Sequence, residues 1–240
     1  MIIYGRNPVR EALRGRRARS VGEVWASGGA AREPWLAGVS LKTVSGEELE
    51  RRCGSSAHQG LCADAGPYHY VGAEQLLAGE APLLEALDQV QDPQHLGSIC
   101  RTAECAGAAG VVIPERRAAE ITPAVCKASA GAVEHLPVAR VRNLADFLAE
   151  ARQAGCWCYG ASAEGAPGER RSVTYDTPDY AGAGVVLVLG SEGNGLRPRV
   201  AKACDELISL PLLGKIESLG VSAAASALLY EILQSRARHA

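Results

Sequence analysis

The sequence predicts an α/β protein in two parts, a small N-terminal module and a larger C-terminal domain built on a parallel sheet. From Pro82 onward, short segments that are apolar throughout alternate with longer helical segments, which is typical of a parallel sheet covered on both faces. The preceding stretch, GPYHYVGAEQLLAGEAP, is rich in glycine and proline and separates the two parts. We therefore expect a module over residues 1–66, a linker over 67–81 and a domain over 82–240.

Short elements are predicted in the small module. Asn7 followed by Pro8 indicates a helix start, with Val9, Ala12 and Leu13 on one face. The segments VGEVWA and VSLKTV are strand candidates. In SGEELERRC, Ser45 is a suitable N-cap, and Glu48 three residues later completes a capping box. Together these features predict a compact α/β unit.

The larger domain has longer elements. Its predicted strands are LLEALDQV, GVVIP, CWCYGAS, VVLVL and ELISLP, and its predicted helices are HLGSICRTAECAGA, NLADFLAEARQAG, RPRVAKACD and VSAAASALLYEILQSRAR. Ligands of open parallel sheets bind beyond the carboxyl ends of the strands. Three loops qualify for that position, namely DPQHLG, GSEGNG and PLLGKIESLG.

Composition narrows the class of protein. At 240 residues and 47% hydrophobic, the chain can bury a sizeable core. It begins without the apolar run of a signal peptide and has no segment long enough to span a membrane, so we expect a cytoplasmic protein without membrane contact. The eight cysteines include no C-x-x-C pair, which favours small core residues over a metal site, and no metal is expected.

The net charge of -2 argues against a nonspecific polyanion binder, but the basic residues are unevenly distributed. Six arginines occur within the first twenty residues against one acid, Glu11. Arginine suits phosphates and base edges, so this end is a candidate nucleic-acid surface, with Arg6, Arg10 and Arg14 as the candidate contacts. A solvated helix face explains the same pattern equally well.

The loop in VVLVLGSEGNGL is not a phosphate cradle. It lacks the lysine and spacing of a P-loop, and its glycines do not match G-x-G-x-x-G. Glu192 adds a negative charge that would repel phosphate. The loop is better suited to a neutral or cationic ligand such as a sulfonium, an amino group, an adenine or a ribose.

Three ordered segments carry a family resemblance: QDPQHLGSICRTAECAGAAGVVIP, LVLGSEGNGL and ELISLPLLGKIESLGVSAAASALLYE. They resemble the motifs of the SpoU/TrmH family of S-adenosylmethionine-dependent RNA ribose 2'-O-methyltransferases. The segments IYGRNPVREAL and SSAHQGLCADAGPYHY resemble the substrate-binding module, similar to a ribosomal-protein fold, of the subgroup that methylates a guanosine of 23S ribosomal RNA. The resemblance covers nearly the whole chain.

The resemblance implies a SPOUT-type domain with a deep trefoil knot and a homodimer with the site near the subunit interface. The apolar periodicity of the sequence alone would exclude a knot, because knots are rare. It implies that S-adenosylmethionine lies against Gly190, Leu210 and Leu219, with Glu192 and Ser218 framing the pocket. For Leu210 and Leu219, core packing is the alternative.

Arg101, in CRTAE, matches the catalytic arginine of the family. A ribose 2'-hydroxyl is a very weak acid, so the site must remove its proton or stabilise the alkoxide while aligning the reacting atoms. Arginine is a poor base, and we therefore expect Arg101 to hold the adjacent phosphate and stabilise the developing alkoxide.

Two positions depart from the family pattern. His95 stands in DPQH where the first motif has asparagine, and Gly220 stands in SLGVS where the third motif has another. His95 is either a polar substitute that donates the same hydrogen bond or a general base, since histidine has an ordinary pKa near 6.5. Gly220 has no such compensation and is expected to widen the pocket.

The sequence thus predicts an enzyme that methylates ribosomal RNA with S-adenosylmethionine as cofactor. Two alternatives stay open at this stage. One is a noncatalytic RNA-binding or ribosome-assembly protein that kept the fold, against which the presence of Arg101, Glu192 and Ser218 argues. The other is a transfer-RNA 2'-O-methyltransferase, which the N-terminal module disfavours.

Overall fold

A computed structural model of the chain describes residues 1–162, 172–216 and 218–238. The N-terminal module holds a four-stranded sheet in the order β1-β4-β2-β3. Its strands are β1 (Ile2–Tyr4), β2 (Val24–Ala26), β3 (Leu41–Thr43) and β4 (Leu61–Asp64), and its helices are α1 (Arg6–Ala12) and α2 (Gly46–Cys53). β4 pairs antiparallel with β1 and β2, while β2 and β3 are parallel.

The helix boundaries of the module follow the sequence signals closely. The Ser45 side chain accepts a hydrogen bond from the Glu48 backbone N–H at 3.1 Å, so the predicted N-cap of α2 is confirmed. α1 starts at Arg6, one residue before the predicted start, because Gly5 rather than Asn7 occupies the cap position. Val9 and Ala12 are buried, as the face pattern predicts.

Seven strands form the sheet of the larger domain, in the order β7-β6-β5-β10-β8-β11-β9, and each described pairing is parallel. The strands are β5 (Leu83–Asp88), β6 (Gly110–Pro114), β7 (Val138–Val141), β8 (Cys156–Ala161), β9 (Val173–Thr174), β10 (Gly184–Gly190) and β11 (Glu206–Ser209). The predicted parallel α/β class is confirmed. β7 and the two-residue β9 are not predicted from the sequence.

Helices cover both faces of this sheet. They are α4 (Pro93–Cys105), α5 (Pro123–Ala128), α6 (Leu144–Gln153), α7 (Pro198–Ala203) and α8 (Val221–Arg238). Alternate β5 side chains enter two separate cores, with Leu83 and Leu87 in one and Leu84 and Ala86 in the other. α8 packs against α4 and β10. The threading of α8 through a knot stays a prediction of the resemblance.

The stretch predicted as a linker is packed against the larger domain rather than extended between the two parts. It contains α3 (Ala73–Leu77), whose Leu76 is buried, and Val71 forms a parallel bridge with Ala139. The hydroxyl of Tyr68 donates to the Val133 carbonyl at 3.2 Å.

A buried ion pair joins the two parts. Arg17 and Glu134 are both almost fully buried, and Arg17 Nε donates to Glu134 Oε2 at 2.8 Å. The Arg17 guanidinium also lies 5.2 Å from the centroid of the Tyr68 ring. One of the six N-terminal arginines is therefore an internal contact and not part of an exposed basic surface.

Glu85 is an exception to the apolar character of β5. Its side chain is fully buried, and neither carboxylate oxygen has a hydrogen-bond partner among the residues that the structure describes. Burial raises the pKa of Glu85 to about 8. The folded protein therefore holds this carboxyl group mainly in its protonated form at neutral pH.

Six of the eight cysteines are buried, in line with their interpretation as core residues. Within the described ranges, no helix is long and apolar enough to cross a membrane.

Candidate active site

A pocket of about 240 Å³ opens at the carboxyl ends of β10 and β11, beside the first turns of α8. This is the edge where ligands of parallel sheets bind. Most of its walls are small or apolar side chains and bare backbone. Among the described residues, neither lysine nor arginine lines it, so the pocket has no cation with which to hold a phosphate.

The loop after β10 is folded into a tight hairpin. Ser191 and Gly195 exchange two backbone hydrogen bonds of 3.0 and 3.1 Å. Gly193 and Gly195 have φ of 80° and 61°, which favour glycine. At Gly190 a Cβ would overlap the backbone of Gly195, so the hairpin closes on the end of β10 only because that residue has no side chain.

Five predicted site residues come together around this pocket. They are Gly190, Glu192, Leu210, Ser218 and Leu219. Leu219 is 52% exposed, which disfavours simple core packing for it. Ser218 Oγ accepts a hydrogen bond from the Gly220 N–H at 3.1 Å and fixes the entrance to α8. Glu217, in the same loop, lies outside the described residues.

His95 reaches this group from the start of α4. Its Nε2 lies 2.9 Å from Glu192 Oε1 and 3.7 Å from Asp92 Oδ2. Its Nδ1 lies 3.5 Å from Ser222 Oγ, too far for a strong hydrogen bond. The Glu192 carboxylate therefore orients the imidazole through one nitrogen and leaves the other available.

Gly220 lies beside the same carboxylate. Its φ of 77° is left-handed, a conformation that glycine adopts freely and that asparagine tolerates better than most residues. A Cβ at position 220 would be 3.8 Å from Glu192 Oε1, the oxygen that His95 contacts. The two departures from the family pattern thus converge on one atom.

Arg101 lies on α4, six residues after His95, which corresponds to a rise of about 9 Å along the helix. It is exposed, and its side chain has no hydrogen bond or ion pair with the part of the chain that the structure describes. The next residue, Thr102, contacts Ser226 of α8 through a 3.1 Å hydroxyl pair. Arg101 does not line the pocket, and its guanidinium is free to engage a bound molecule.

Asp88 is a structural residue of the site that sequence reasoning missed. It ends β5, its side chain is fully buried, and it accepts hydrogen bonds from Arg197 N at 2.8 Å and Arg197 Nε at 2.7 Å. Because Arg197 follows the glycine hairpin, this pair anchors the hairpin to the centre of the sheet. A carboxylate that ends an apolar strand is the signal that could have revealed it.

The N-terminal arginines predicted to contact RNA differ in their surroundings. Arg6 pairs with Glu33 at 2.8 Å, and Arg10 pairs with Glu11 at 2.6 Å. Arg14 is exposed and has no carboxylate partner among the described residues. Surface pairs of this kind are weak and can be exchanged for phosphate contacts.

Comparison with known proteins agrees with the fold and the pocket. Residues 82–230 match the model of the SpoU rRNA Methylase family, and residues 2–71 match that of the RNA 2'-O ribose methyltransferase substrate binding domain. A Bacillus subtilis (strain 168) protein named as a TrmH family tRNA/rRNA methyltransferase is 41% identical over 83% of this chain and 79% of its own. A protein of the same designation from Staphylococcus haemolyticus (strain JCSC1435) is 34% identical over 98% of this chain and 96% of its own.

A solved structure extends the comparison to three dimensions. The AdoMet-bound rRNA methyltransferase from Sinorhizobium meliloti superposes with a TM-score of 0.78 and 26% identity, covering 97% of this chain and 86% of that one. The fold, the substrate-binding module and these matches define an RNA ribose 2'-O-methyltransferase. The chain belongs to the SpoU rRNA methylase family.

Proposed function

We propose that the protein transfers a methyl group from S-adenosylmethionine to the ribose 2'-hydroxyl of a guanosine in 23S ribosomal RNA. The observation that carries this proposal is the single pocket in which Gly190, Glu192, Leu210, Ser218 and Leu219 meet. These residues come from two loops that α7 and β11 separate in the sequence.

The pocket residues fit S-adenosylmethionine. Gly190 contributes to the lining of the pocket, and Leu210 and Leu219 supply apolar walls for a flat purine. The Glu192 carboxylate complements a positive charge, and the described walls of the pocket lack the cations that a nucleoside triphosphate needs. When bound, S-adenosylmethionine supplies an electrophilic methyl group on a sulfonium.

His95 is the proposed proton acceptor for the ribose hydroxyl. The 2.9 Å contact with Glu192 holds Nε2, so Nδ1 is the nitrogen left to take a proton. A carboxylate that orients a histidine in this way fixes its tautomer, as in other base–orienter pairs. A role for His95 as a hydrogen-bond donor alone does not require this orientation.

Arg101 is the proposed electrostatic stabiliser. Its exposed guanidinium has no carboxylate partner in the described part of the chain and lies on α4, the helix that also carries His95. It can therefore hold the phosphate next to the reacting ribose and stabilise negative charge on the 2'-oxygen.

The small module is proposed to select the RNA site through Arg6, Arg10 and Arg14. Its fixed attachment to the larger domain, through Arg17 and Glu134, keeps the distance to the pocket constant.

We also propose that the protein is cytoplasmic and forms a homodimer. The homodimer is supported by large apolar side chains that are exposed near the pocket and on α8, namely Leu213, Ile216, Leu219, Tyr230 and Leu233. A second copy of the chain would cover them. Sedimentation of the purified protein as a monomer at micromolar concentration would contradict this part of the proposal.

Incubation with methyl-labelled S-adenosylmethionine and either 23S ribosomal RNA or transfer RNA tests the function. We expect label in 23S RNA, recovered as 2'-O-methylguanosine after digestion, at a position mapped by ribose-methylation-sensitive sequencing. Label in transfer RNA alone would overturn the substrate assignment. Calorimetry that detects no S-adenosylmethionine binding, even with RNA present, would favour a noncatalytic RNA-binding protein.

A further inference from the structure

The loop after β6, residues 115–119, carries successive hydrogen-bond donors without partners in the described part of the chain, and we call it the arginine loop. The backbone N–H groups of Arg116, Arg117 and Ala118 donate to no acceptor there. The side chains of Arg116 and Arg117 are exposed and have no carboxylate partner among the same residues. Arg117 has φ of 58°, a left-handed conformation that is uncommon outside glycine. Successive N–H groups in such a turn form a nest, a concave arrangement that binds anions.

Both ends of the arginine loop are held in place. At its start, the Glu115 N–H donates to the Val141 carbonyl of β7 at 2.9 Å, and Arg140 Nη2 donates to the Glu115 carbonyl at 3.1 Å. At its end, the buried Ala119 donates its N–H to the Val90 carbonyl at 2.9 Å. The three unpaired N–H groups therefore belong to a segment whose position is fixed before any ligand binds, which lowers the cost of binding.

The surroundings of the arginine loop are positively charged. Glu120 pairs with Arg140 at 3.0 Å, so each neutralises the other. Arg142, the first residue after β7, is exposed and has no carboxylate partner within the described ranges. Glu115 is then the one acid of the loop, against two arginines of the loop and Arg142 beside it. Guanidinium and N–H groups are all donors, so the complementary ligand is an oxyanion such as a phosphate.

The arginine loop adjoins the segment that leads into the proposed catalytic helix. Val90, which accepts the hydrogen bond at the end of the loop, lies between β5 and α4, five residues before His95. Because β6 pairs with β5, the loop begins about 5 Å, one strand spacing, to the side of this segment. Gln89 in the same segment is also left-handed, with φ of 63°. Residues other than glycine in this conformation cluster at ligand-binding sites.

We propose that the arginine loop binds a backbone phosphate of the RNA substrate through the N–H groups of Arg116, Arg117 and Ala118 and the two guanidinium groups. This inference rests on the proposed function, in which the substrate is RNA. Arg142 is placed to hold the next phosphate along the strand. The RNA strand then crosses the carboxyl edge of β6 and β7 beside the start of α4, so the larger domain itself holds the substrate next to the reacting ribose.

The test is the salt dependence of RNA binding, measured by fluorescence anisotropy with a labelled 23S RNA fragment and no methyl donor. Each lost phosphate contact lowers the slope of log affinity against log salt by about 0.7 to 0.9. We expect the double variant Arg116→Gln with Arg117→Gln to lower the slope by that amount and to weaken binding about fivefold at physiological salt. Arg116→Gln with Arg117→Gly, which adopts the left-handed turn freely, should do the same. The matched control is Arg152→Gln, an exposed arginine in the last turn of α6 at the opposite edge of the sheet, which should change neither.

The outcomes separate this inference from the proposed function. A slope for both double variants equal to that of the unmodified protein, with methyl transfer to RNA intact, would overturn the phosphate site and leave the function standing. A lowered slope, in a protein that does not methylate 23S RNA, would support the site and overturn the function. An equal loss in Arg152→Gln would overturn the site.

Calorimetry with inorganic phosphate distinguishes an RNA phosphate from a free anion. If the unmodified protein binds inorganic phosphate at millimolar concentration, and the double variants lose that binding while their affinity for RNA is unchanged, the loop holds a free anion and the RNA contact is wrong. Unchanged thermal unfolding of the variants confirms that they fold.

Discussion

Glu85 makes the stability of the fold depend on pH in a direction opposite to that of most carboxylates. Below its ordinary pKa of 4.5 the carboxyl is protonated in both the folded and the unfolded chain. Between pH 4.5 and about 8 the unfolded chain releases the proton and the folded protein keeps it, so the free energy of unfolding falls as pH rises. The free energy of unfolding falls by about 1.4 kcal/mol for each pH unit, so Glu85 alone lowers it by roughly 5 kcal/mol across this window.

Two substitutions divide this cost into its parts. Glu85→Gln removes the ionisable group but keeps a polar group without a partner, so this contribution to the pH dependence should disappear. Glu85→Leu also removes the unpaired polar group and should be more stable than Glu85→Gln by about 1 to 3 kcal/mol at every pH. The control is Glu104→Gln, an exposed glutamate of α4, which should keep the pH dependence of the unmodified protein.

Urea unfolding followed by tryptophan fluorescence at pH 5 and pH 8.5 measures these differences. We expect Glu85→Leu to exceed the unmodified protein in free energy of unfolding by several kcal/mol more at pH 8.5 than at pH 5. If Glu85→Gln and the unmodified protein respond identically to pH, the folded protein accommodates the charged carboxylate and the reasoning fails.

Three further predictions concern pairs of side chains. Restoring both family asparagines with His95→Asn and Gly220→Asn should lose less methyl transfer than His95→Asn alone, which we expect to cost about 10² to 10⁴ in rate; strictly additive effects on single-turnover rates would show that the two positions are independent. Asp88→Asn should destabilise the fold by about 3 kcal/mol, measured by urea unfolding, and weaken S-adenosylmethionine binding, measured by calorimetry. Unchanged affinity for S-adenosylmethionine would mean that this carboxylate does not anchor the hairpin. Glu134→Gln should leave Arg17 as an uncompensated buried charge and cost about 3 to 5 kcal/mol, and a loss below 1 kcal/mol in the same unfolding assay would contradict its burial.

The strands that the sequence predicts well are mostly apolar. β5, β6, β8, β10 and β11 are largely apolar segments, and most of their side chains are buried in the parallel sheet. β7 is not predicted because it is a four-residue edge strand that contains an arginine, and the six-residue helix α5 is not predicted either. Local pattern therefore predicts the centre of the sheet better than its margin.

The sequence predicts which loops and residues form the site, but it does not predict which of their side chains contact one another. Ordered motifs indicate which residues belong together, but the contact between His95 and Glu192 joins positions 97 residues apart. Arg17 illustrates the same limit, since its charge indicates a nucleic-acid contact until the fold places it against Glu134. Such pairings depend on tertiary structure and carry no local signal.

Single-turnover methyl transfer by Arg101→Ala is the most direct test of the proposed catalytic site. The assay uses 23S ribosomal RNA and saturating S-adenosylmethionine, with 2'-O-methylguanosine as the measured product. Loss of a donor that stabilises the developing charge should lower the rate by about 10² to 10³, while S-adenosylmethionine affinity stays unchanged. An Arg101→Ala variant that methylates RNA at the rate of the unmodified protein would contradict the proposed site.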